Sequence, residues 1–172
     1  MNVDRVLEGY VVKLGDNVST DDIIAGRYLH ITDPEELASH LFENRPEIRE
    51  RLLKTKKPVI LVAGRGFGYG SSREHAPIAL KTYGVKAILA ESFHRIFYRN
   101  SVNNGLLVIE VKGMADLVDD GDKIRVDLRA GIVETPRGTI RIGKIPDYVI
   151  NLILSGGLKE KLRSIASQKS HT

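Results

Sequence analysis

The feature that most constrains the fold is a pair of short, continuous apolar runs, each followed by a segment with helical character. Residues 58–63 (PVILVA) and 87–90 (AILA) contain no polar position, which is typical of strands buried on both faces. A glycine-rich turn and a helix over about residues 72–83 follow the first run. A helix over 93–104 and a strand over 106–111 follow the second. Two successive strand–helix units predict a parallel sheet with right-handed crossovers.

The segments before this pair extend the same pattern. Residues 5–13 predict a first strand. Asp33 and Pro34 predict the start of a helix, because aspartate is a favoured N-cap and proline fits the first helical position. We expect this helix to continue to Phe42. A second helix is expected over residues 45–55, where apolar side chains recur at helical spacing.

The chain changes character after residue 111, where short alternating segments and glycine-containing turns predict a β meander. Its strands are expected at residues 123–129, 132–134 and 139–142. Two helices, 146–154 and 158–165, close the chain, and we expect residues 165–172 to fray. The sequence therefore predicts one α/β domain over residues 1–172. Its core should have three layers, with a mixed, mainly parallel sheet plus the C-terminal meander and helices.

Composition removes several classes of function. The 172 residues include no cysteine, so the chain has no disulfide, no thiol nucleophile and no thiolate that could hold an iron–sulfur cluster. No apolar run approaches the roughly 20 residues of a membrane span, and the first ten residues lack the pattern of a signal peptide. The 26 basic residues are mixed with 22 acidic ones, which argues against a nucleic-acid partner. We expect a cytoplasmic protein without a nucleic-acid or membrane partner.

The segment with the most chemical content is GRGFGYGSSREH at residues 64–75, between a predicted buried strand and a predicted helix. Its alternate glycines tolerate positive φ and let a ligand approach the backbone. Unpaired N–H groups at a helix start favour an anion. The segment lacks the lysine of a P-loop and the glycine spacing of a dinucleotide-binding fingerprint. Ser71, Ser72 and Arg73 suit a carboxylate, because a guanidinium pairs with it through two hydrogen bonds.

Simpler interpretations apply to the same residues. Ser71 and Glu74 have the spacing of a capping box, so both side chains could do no more than close the start of the helix. Arg73 could form a surface ion pair, and His75, a single histidine early in a helix, is more commonly a packed or surface residue than a catalyst. A serine hydrolase is a further alternative, although the Gly-x-Ser-x-Gly pattern is not matched. A regulatory module that binds a carboxylate without catalysis would use the same loop.

The string GFGYGSSREHAP at residues 66–77 resembles the signature of the aconitase swivel domain, in the family where it forms a separate small subunit of isopropylmalate dehydratase or homoaconitase. Residues 17–29 (NVSTDDIIAGRYL) resemble an early substrate-facing loop of that family. Residues 90–107, which include ESFHRIF, Asn100 and NNGLL, resemble a later helix and strand. The one departure is Tyr69, where cysteine is usual. That cysteine is not a cluster ligand in the family, so we expect local repacking.

The resemblance implies a swivel-type fold and a hydro-lyase that removes water from a hydroxy di- or tricarboxylate and adds it back at the neighbouring carbon. It implies a larger partner subunit that holds a [4Fe–4S] cluster, while this chain binds no cofactor or metal of its own. By position, Ser71 matches the serine that takes a proton from carbon, and Arg73 matches the arginine that binds a substrate carboxylate. Ser72 offers a second donor. Only the assembly of both subunits would be active.

Residues after Tyr28-Leu29 face the group that distinguishes substrates in this family, and an arginine there favours an extra carboxylate. This sequence has His30, Ile31 and Thr32 at those positions. Ile31 suits an isopropyl group, because burial of apolar surface is favourable. The resemblance therefore favours isopropylmalate as the substrate and a role in leucine biosynthesis, with homoaconitate as the alternative.

Overall fold

Seven strands in one mixed sheet organise the chain, and the computed structural model describes residues 5–169. The strands are β1 (Val6–Lys13), β2 (Val59–Ala63), β3 (Val85–Ala90), β4 (Leu107–Glu110), β5 (Lys123–Asp127), β6 (Ile132–Thr135) and β7 (Gly138–Arg141). Their order across the sheet is β4-β3-β2-β1-β5-β6-β7. Strands β1 to β4 pair in parallel, and β5 to β7 continue the sheet from β1 in antiparallel pairs. The predicted α/β architecture is confirmed.

The two continuous apolar runs lie at the centre of this sheet, as predicted. All five residues of β2 are buried, and Lys86 is the exposed residue of β3. Both faces of these strands are covered, which explains the absence of polar alternation in the sequence. The predicted meander also forms, but it extends the same sheet, so three strand pairs are parallel and three are antiparallel.

Within residues 5–169, seven α-helices connect or flank the strands. They are α1 (Thr20–Ile23), α2 (Pro34–Ala38), α3 (Pro46–Lys54), α4 (His75–Tyr83), α5 (Arg95–Asn103), α6 (Asp147–Leu154) and α7 (Leu158–Lys169). As predicted, the Asp33 carboxylate accepts a hydrogen bond from the Glu36 N–H at 3.1 Å and caps α2. This helix is shorter than predicted. The chain reaches Phe42 in the left-handed region, with φ of 57°, and the Phe42 N–H donates to the Ile23 carbonyl instead of continuing a helix.

Apolar side chains cover both faces of the sheet, so the predicted three-layer arrangement forms, with the sheet between the helices and the segment that follows β4. On one face, helices α1 to α6 cover a cluster that includes Phe42, Leu80 and Ile88. On the other face, a second cluster lies beneath the segment that follows β4, in which Met114 is buried. Helix α7 contributes no buried residue and extends beyond the predicted end at residue 165. The last part of the predicted frayed tail, residues 170–172, lies outside the described residues.

No helix within residues 5–169 is long and apolar enough to cross a membrane. The features that the sequence singled out for chemistry lie beyond the carboxyl ends of β1, β2 and β3. This end of a parallel sheet is where ligands bind in open α/β folds.

Candidate active site

The glycine-rich segment after β2 continues the sheet order beyond the strands themselves. On one side, the Gly64 N–H donates to the Gly15 carbonyl at 3.2 Å, and the Gly68 N–H donates to the Val18 carbonyl at 2.7 Å. On the other side, the Glu91 N–H donates to the Gly64 carbonyl at 3.0 Å. The segment is therefore held from both sides by the chain that leaves β1 and the chain that leaves β3.

This path requires glycine for two reasons. Gly66, Gly68 and Gly70 have φ of 71°, 84° and 106°, in the left-handed region that other residues seldom adopt. A Cβ atom at Gly68 would overlap the ring of Phe97, and one at Gly64 would overlap the carboxylate of Asp16. The close approaches at Gly64 and Gly68 are to side chains of the protein itself, and the approach of a ligand to this backbone stays a prediction.

Ser71 and Ser72 follow this segment and are both exposed. They line a cleft of about 250 Å³ between the glycine-rich segment and the first turn of α5. The Thr20 hydroxyl donates to the Ser71 carbonyl at 3.0 Å, and the Asn100 amide donates to the Ser72 hydroxyl at 3.3 Å. The Ser71 hydroxyl makes no hydrogen bond within residues 5–169, so it is available to a molecule in the cleft.

Helix α4 begins at His75, three residues later than predicted, and the alternative in which Ser71 and Glu74 form a capping box is wrong. Glu74 occupies the N-cap position with φ of −68° and ψ of −20°, and no side chain caps the helix. Consequently, the backbone N–H groups from Ser71 to Ala76 donate to no acceptor in the part of the chain that the structure describes. Such a run of free donors beside a helix start attracts an anion. His75 is half-buried and does not line the cleft.

Arg73 is more deeply placed than a surface ion pair, since its side chain is 14% exposed. Its Nη1 donates to Asp21 Oδ1 at 3.1 Å and to the Ile24 carbonyl at 3.0 Å. This hydrogen bond lowers the pKa of Asp21 below its ordinary value. The Arg73 Nε is buried and has no partner among the described residues. One edge of the guanidinium is therefore fixed by the protein, while the Nε donor is unused.

Asp21, Thr20 and Asn100 were not predicted as site residues. Asp21 is 52 positions from Arg73 in the sequence, and no spacing rule connects residues so far apart. The carboxylate of Asp21 also accepts a hydrogen bond from the Gly26 N–H at 3.0 Å. Gly26 is the first residue of the turn that leads to His30, so Asp21 links the arginine to the predicted specificity loop.

Of the three predicted specificity residues, His30, Ile31 and Thr32, only Ile31 is placed where a substrate cannot reach it. Ile31 is 6% exposed and packs in the main apolar cluster, so its side chain does not form an open wall for a substrate. Its apolar character serves the core, because the loop passes over the helical side of the sheet. His30 and Thr32 are exposed and are the members of the trio that a substrate can reach.

A cluster of side chains around Glu43 anchors this loop. The Tyr28 hydroxyl donates to Glu43 Oε2, His40 Nδ1 lies 2.8 Å from Glu43 Oε1, and Arg27 Nη2 donates to Oε2 at 3.3 Å. The rings of Tyr28 and His40 stack at 3.9 Å. Partial burial alone would raise the pKa of Glu43, but the hydrogen bonds from Tyr28 and His40 outweigh it and lower that pKa.

The residues of this chain do not fit a metal or an iron–sulfur cluster. The sequence contains no cysteine, and within residues 5–169 no three His, Asp or Glu side chains are grouped as a metal site. The cleft instead offers hydroxyl groups, backbone N–H groups, the imidazole of His94 and two arginines, Arg73 and Arg95, a set suited to a carboxylate and to a proton transfer.

Comparison with known proteins agrees with this geometry. The profile of a family described as Aconitase C-terminal domain matches residues 10–114. A 3-isopropylmalate dehydratase small subunit of Halothermothrix orenii is 46% identical, over 91% of this chain and 95% of that protein. A methanogen homoaconitase small subunit of Methanothermobacter thermautotrophicus is 48% identical, over 91% of this chain and 90% of that protein.

Solved structures show the same relationship. A crystal structure of 3-isopropylmalate dehydratase from Methanocaldococcus jannaschii superposes with a TM-score of 0.83 at 40% identity, covering 96% of this chain and 98% of that one. Aconitase X of Thermococcus kodakaraensis superposes with a TM-score of 0.51 at 21% identity, covering 80% and 90% of the two chains. The second likeness shows a shared fold alone.

Proposed function

The chain belongs to the aconitase C-terminal domain family, in the branch of separate dehydratase small subunits, and on that premise we propose that it is the small subunit of a 3-isopropylmalate dehydratase. The enzyme is a hydro-lyase that interconverts 2-isopropylmalate and 3-isopropylmalate by removing and re-adding water, a step of leucine biosynthesis. A cytoplasmic location is part of the same proposal. The observation that carries it is the arrangement of Ser71, Arg73 and a run of free N–H groups around one cleft.

The proposal requires a larger partner subunit. Within residues 5–169, the side chains that line the cleft include one imidazole, that of His94, and no carboxylate or thiolate, so another chain must supply the rest of the site. That chain is expected to hold a [4Fe–4S] cluster, which when bound supplies a Lewis acid for the substrate hydroxyl. Closure of the partner over the cleft would also exclude water, which strengthens the polar interactions made there.

Ser71 is proposed as the base that takes a proton from the substrate carbon. A serine hydroxyl is a weak base at neutral pH, so its deprotonated form needs stabilisation. Free N–H groups from Ser71 to Ala76 and the positive end of α4 provide it. No histidine or carboxylate is hydrogen-bonded to the Ser71 hydroxyl within residues 5–169, although His94 lines the same cleft, and this separates the site from the hydrogen-bonded triad of a serine hydrolase.

Arg73 is proposed to bind a substrate carboxylate. Asp21 and the Ile24 carbonyl hold Nη1, so the side chain is oriented before substrate arrives. Arg73 lines the cleft, so its guanidinium is a cation beside which an incoming carboxylate would lie. Ser72, positioned by Asn100, adds a hydroxyl on the same side of the cleft.

Homoaconitate is the second candidate substrate, because one relative at 48% identity is a homoaconitase small subunit. The absence of arginine at residues 30–32 favours isopropylmalate, since a distal carboxylate would lack a cation of this chain at that position. Ile31 is buried, so the choice depends on His30, Thr32 and residues of the larger subunit.

The test is Ser71→Ala in the enzyme reconstituted with its larger subunit. Turnover of isopropylmalate should fall by at least about 100-fold, the scale for losing a positioned proton-transfer group, while subunit assembly is unchanged. Ser155→Ala is the matched control, because the Ser155 hydroxyl bonds only to the Leu152 carbonyl on the remote helix α6. Near wild-type turnover by the Ser71 variant would show that the serine is not the base.

A further inference from the structure

A second cavity adjoins the catalytic cleft and is not used by the proposed chemistry. It has a volume of about 420 Å³ and lies between the first turn of α5, the end of β4 and residues 143–146. Its walls are mainly apolar and include Phe93, Tyr98, Val108 and Ile145. Arg95 lines both this cavity and the cleft that holds Ser71, so the two hollows are neighbours on one face of the protein.

Beside the catalytic cleft, the surface carries exposed apolar side chains. Ile96 is 52% exposed and Tyr69 is 40% exposed. The Tyr69 ring lies 6.0 Å from the ring of His94, which together with Arg95 begins α5. We call Tyr69, His94, Arg95 and Ile96 the ridge. Large exposed apolar side chains beside a concave apolar cavity are typical of a surface that another protein covers.

The charges of this face are free to pair with a partner. The Arg95 guanidinium and the Lys144 ammonium at the rim of the cavity form no ion pair within residues 5–169, whereas Arg73 is paired with Asp21. Glu110 is the one carboxylate that lines the cavity. The Tyr98 hydroxyl, whose pKa is raised by burial and by Glu110, is a protonated donor at neutral pH. The rim therefore favours a segment with an acidic side chain.

We propose that the ridge and the cavity beneath Arg95 form the anchor surface for the larger subunit, with the cavity taking an apolar side chain next to a carboxylate that pairs with Arg95 and Lys144. This inference rests on the proposed function, and it deepens that function by naming where the partner binds. Docking here would close the adjacent cleft over Ser71, so binding and completion of the active site would be one event.

A second copy of this chain is a poorer occupant of the same surface. It would bring another Arg95 and another Lys144 to the rim, and each chain already has a net charge of +4. It would also cover Ser71 with a chain that has no cysteine and therefore no thiolate to hold an iron–sulfur cluster. The occupant that satisfies both the charge and the chemistry of the cleft is a cluster-bearing chain with an acidic segment.

The test measures the dissociation constant between the purified small subunit and the larger dehydratase subunit of the same organism by titration calorimetry. Ile96→Asp and Arg95→Glu should each raise the constant at least about 30-fold, as expected for central interface residues. Lys144→Glu makes the same measurement at a residue that lines the cavity but lies outside α5. The matched control is Leu53→Asp, because Leu53 is 56% exposed on the remote helix α3, and it should change the constant less than about 3-fold.

Different failures have different meanings. If wild type does not bind the larger subunit, the proposed function is wrong. If wild type binds and both ridge variants bind equally well, the anchor surface is wrong while the function stands. Loss of binding in Leu162→Asp on α7, with the ridge variants unaffected, would move the interface to the C-terminal helix. The remaining outcome is tested by sedimentation of the isolated chain. If the chain self-associates and Ile96→Asp abolishes that self-association, the ridge binds a second copy of this chain.

Discussion

Two loops meet at the carboxyl end of the sheet, and they are held in place by different means. The glycine-rich segment 64–70 is fixed by backbone hydrogen bonds to both neighbouring chain segments. The loop from Gly26 to Thr32, which carries the predicted specificity residues His30, Ile31 and Thr32, is fixed largely by the carboxylates of Glu43 and Asp21, which accept hydrogen bonds from it. The first arrangement leaves almost no freedom for substitution, while the second can be altered one side chain at a time.

This difference separates the two parts of the proposed activity. Proton transfer needs the same geometry for every substrate, and Ser71, the proposed base, directly follows the segment whose conformation depends on glycine. Substrate choice must change between related enzymes, and it is placed on the loop whose anchor is a set of exchangeable contacts. The contrast predicts that mutations in the first loop act on folding and catalysis, and that mutations in the second act on selectivity.

The largest loss in the free energy of unfolding is expected from Gly68→Ala. The new Cβ would overlap Phe97, and forced contacts of this kind cost about 1–3 kcal/mol. A left-handed backbone adds about 1–2 kcal/mol, so the free energy of unfolding should fall by about 3 kcal/mol in denaturant titration. Gly121→Ala is the matched control, with φ of 85° and nothing within 4 Å of its Cβ. It should lose about 1 kcal/mol. Equal losses would mean that the Phe97 contact does not constrain the loop.

The next effect concerns Arg73→Lys, at the point where the two loops are joined. Lysine keeps the charge but cannot hold Asp21 and a substrate carboxylate through a planar fork. KM for isopropylmalate should rise about 30-fold, equivalent to about 2 kcal/mol, with a smaller change in kcat. Arg65→Lys is the control, because Arg65 is 79% exposed and pairs with Glu91 away from the cleft. Circular dichroism would confirm that both variants are folded, and unchanged KM and kcat in Arg73→Lys would place Arg73 outside the site.

His30→Arg tests the second loop directly. An arginine here would supply a cation for the distal carboxylate of a tricarboxylate, whereas His30 and Thr32 leave that charge without a partner from this chain. The ratio of kcat/KM for homoaconitate to kcat/KM for isopropylmalate should rise about 10-fold. If wild type already prefers homoaconitate, the isopropylmalate proposal is wrong. If the ratio does not move, the discriminating contacts belong to the larger subunit.

Much of the fold could be predicted because its signals are local. The continuous apolar run of β2 and the Asp33 cap of α2 each report a structure made by neighbouring residues. The start of α4 was misplaced because Ser71 and Glu74 match a capping box in sequence, while the N–H groups that such a box would satisfy are left free. A local pattern favouring a cap was overridden at the place where the chain leaves backbone N–H donors unpaired, which is the proposed substrate site.

The contacts of the second loop could not be predicted in this way. Glu43 meets Tyr28 from 15 positions away, and Glu43 lies in none of the segments that carry the resemblance to a known family. Ile31 has the hydrophobicity of either a core residue or a substrate wall, and only the path of the chain decides between them. Residue type indicates what a side chain can contact, but long-range packing determines which contact is made.

The smallest effect is expected from Glu43→Gln, which loosens the second loop without touching the cleft. Glutamine can still accept a hydrogen bond from Tyr28 but loses its charge opposite Arg27 and His40. The free energy of unfolding should fall by about 1 kcal/mol at pH 7, as for one charge-assisted hydrogen bond at a partly exposed site. KM should rise about 3-fold, with kcat nearly unchanged, because a less ordered loop weakens substrate binding before it affects proton transfer.

The pH dependence of the free energy of unfolding tests whether the Glu43 carboxylate stabilises the folded protein. The pKa of Glu43 is lowered in the folded state from an ordinary value of 4.5, so its carboxylate contributes stability that is fully present above pH 4.5 and is lost as the pH falls through the folded pKa. The stability gap between wild type and Glu43→Gln should therefore close below pH 4.5. Arg27, Tyr28, His40 and Arg49 are the other charged or titratable groups around this carboxylate, and they are common to both proteins.

Glu50→Gln is the control for the change in KM. It removes a comparable carboxylate, paired with Lys54 on α3, and should leave KM unchanged because α3 does not hold the loop. If both variants raise KM equally, the effect is a general loss of stability and Glu43 does not position the specificity loop.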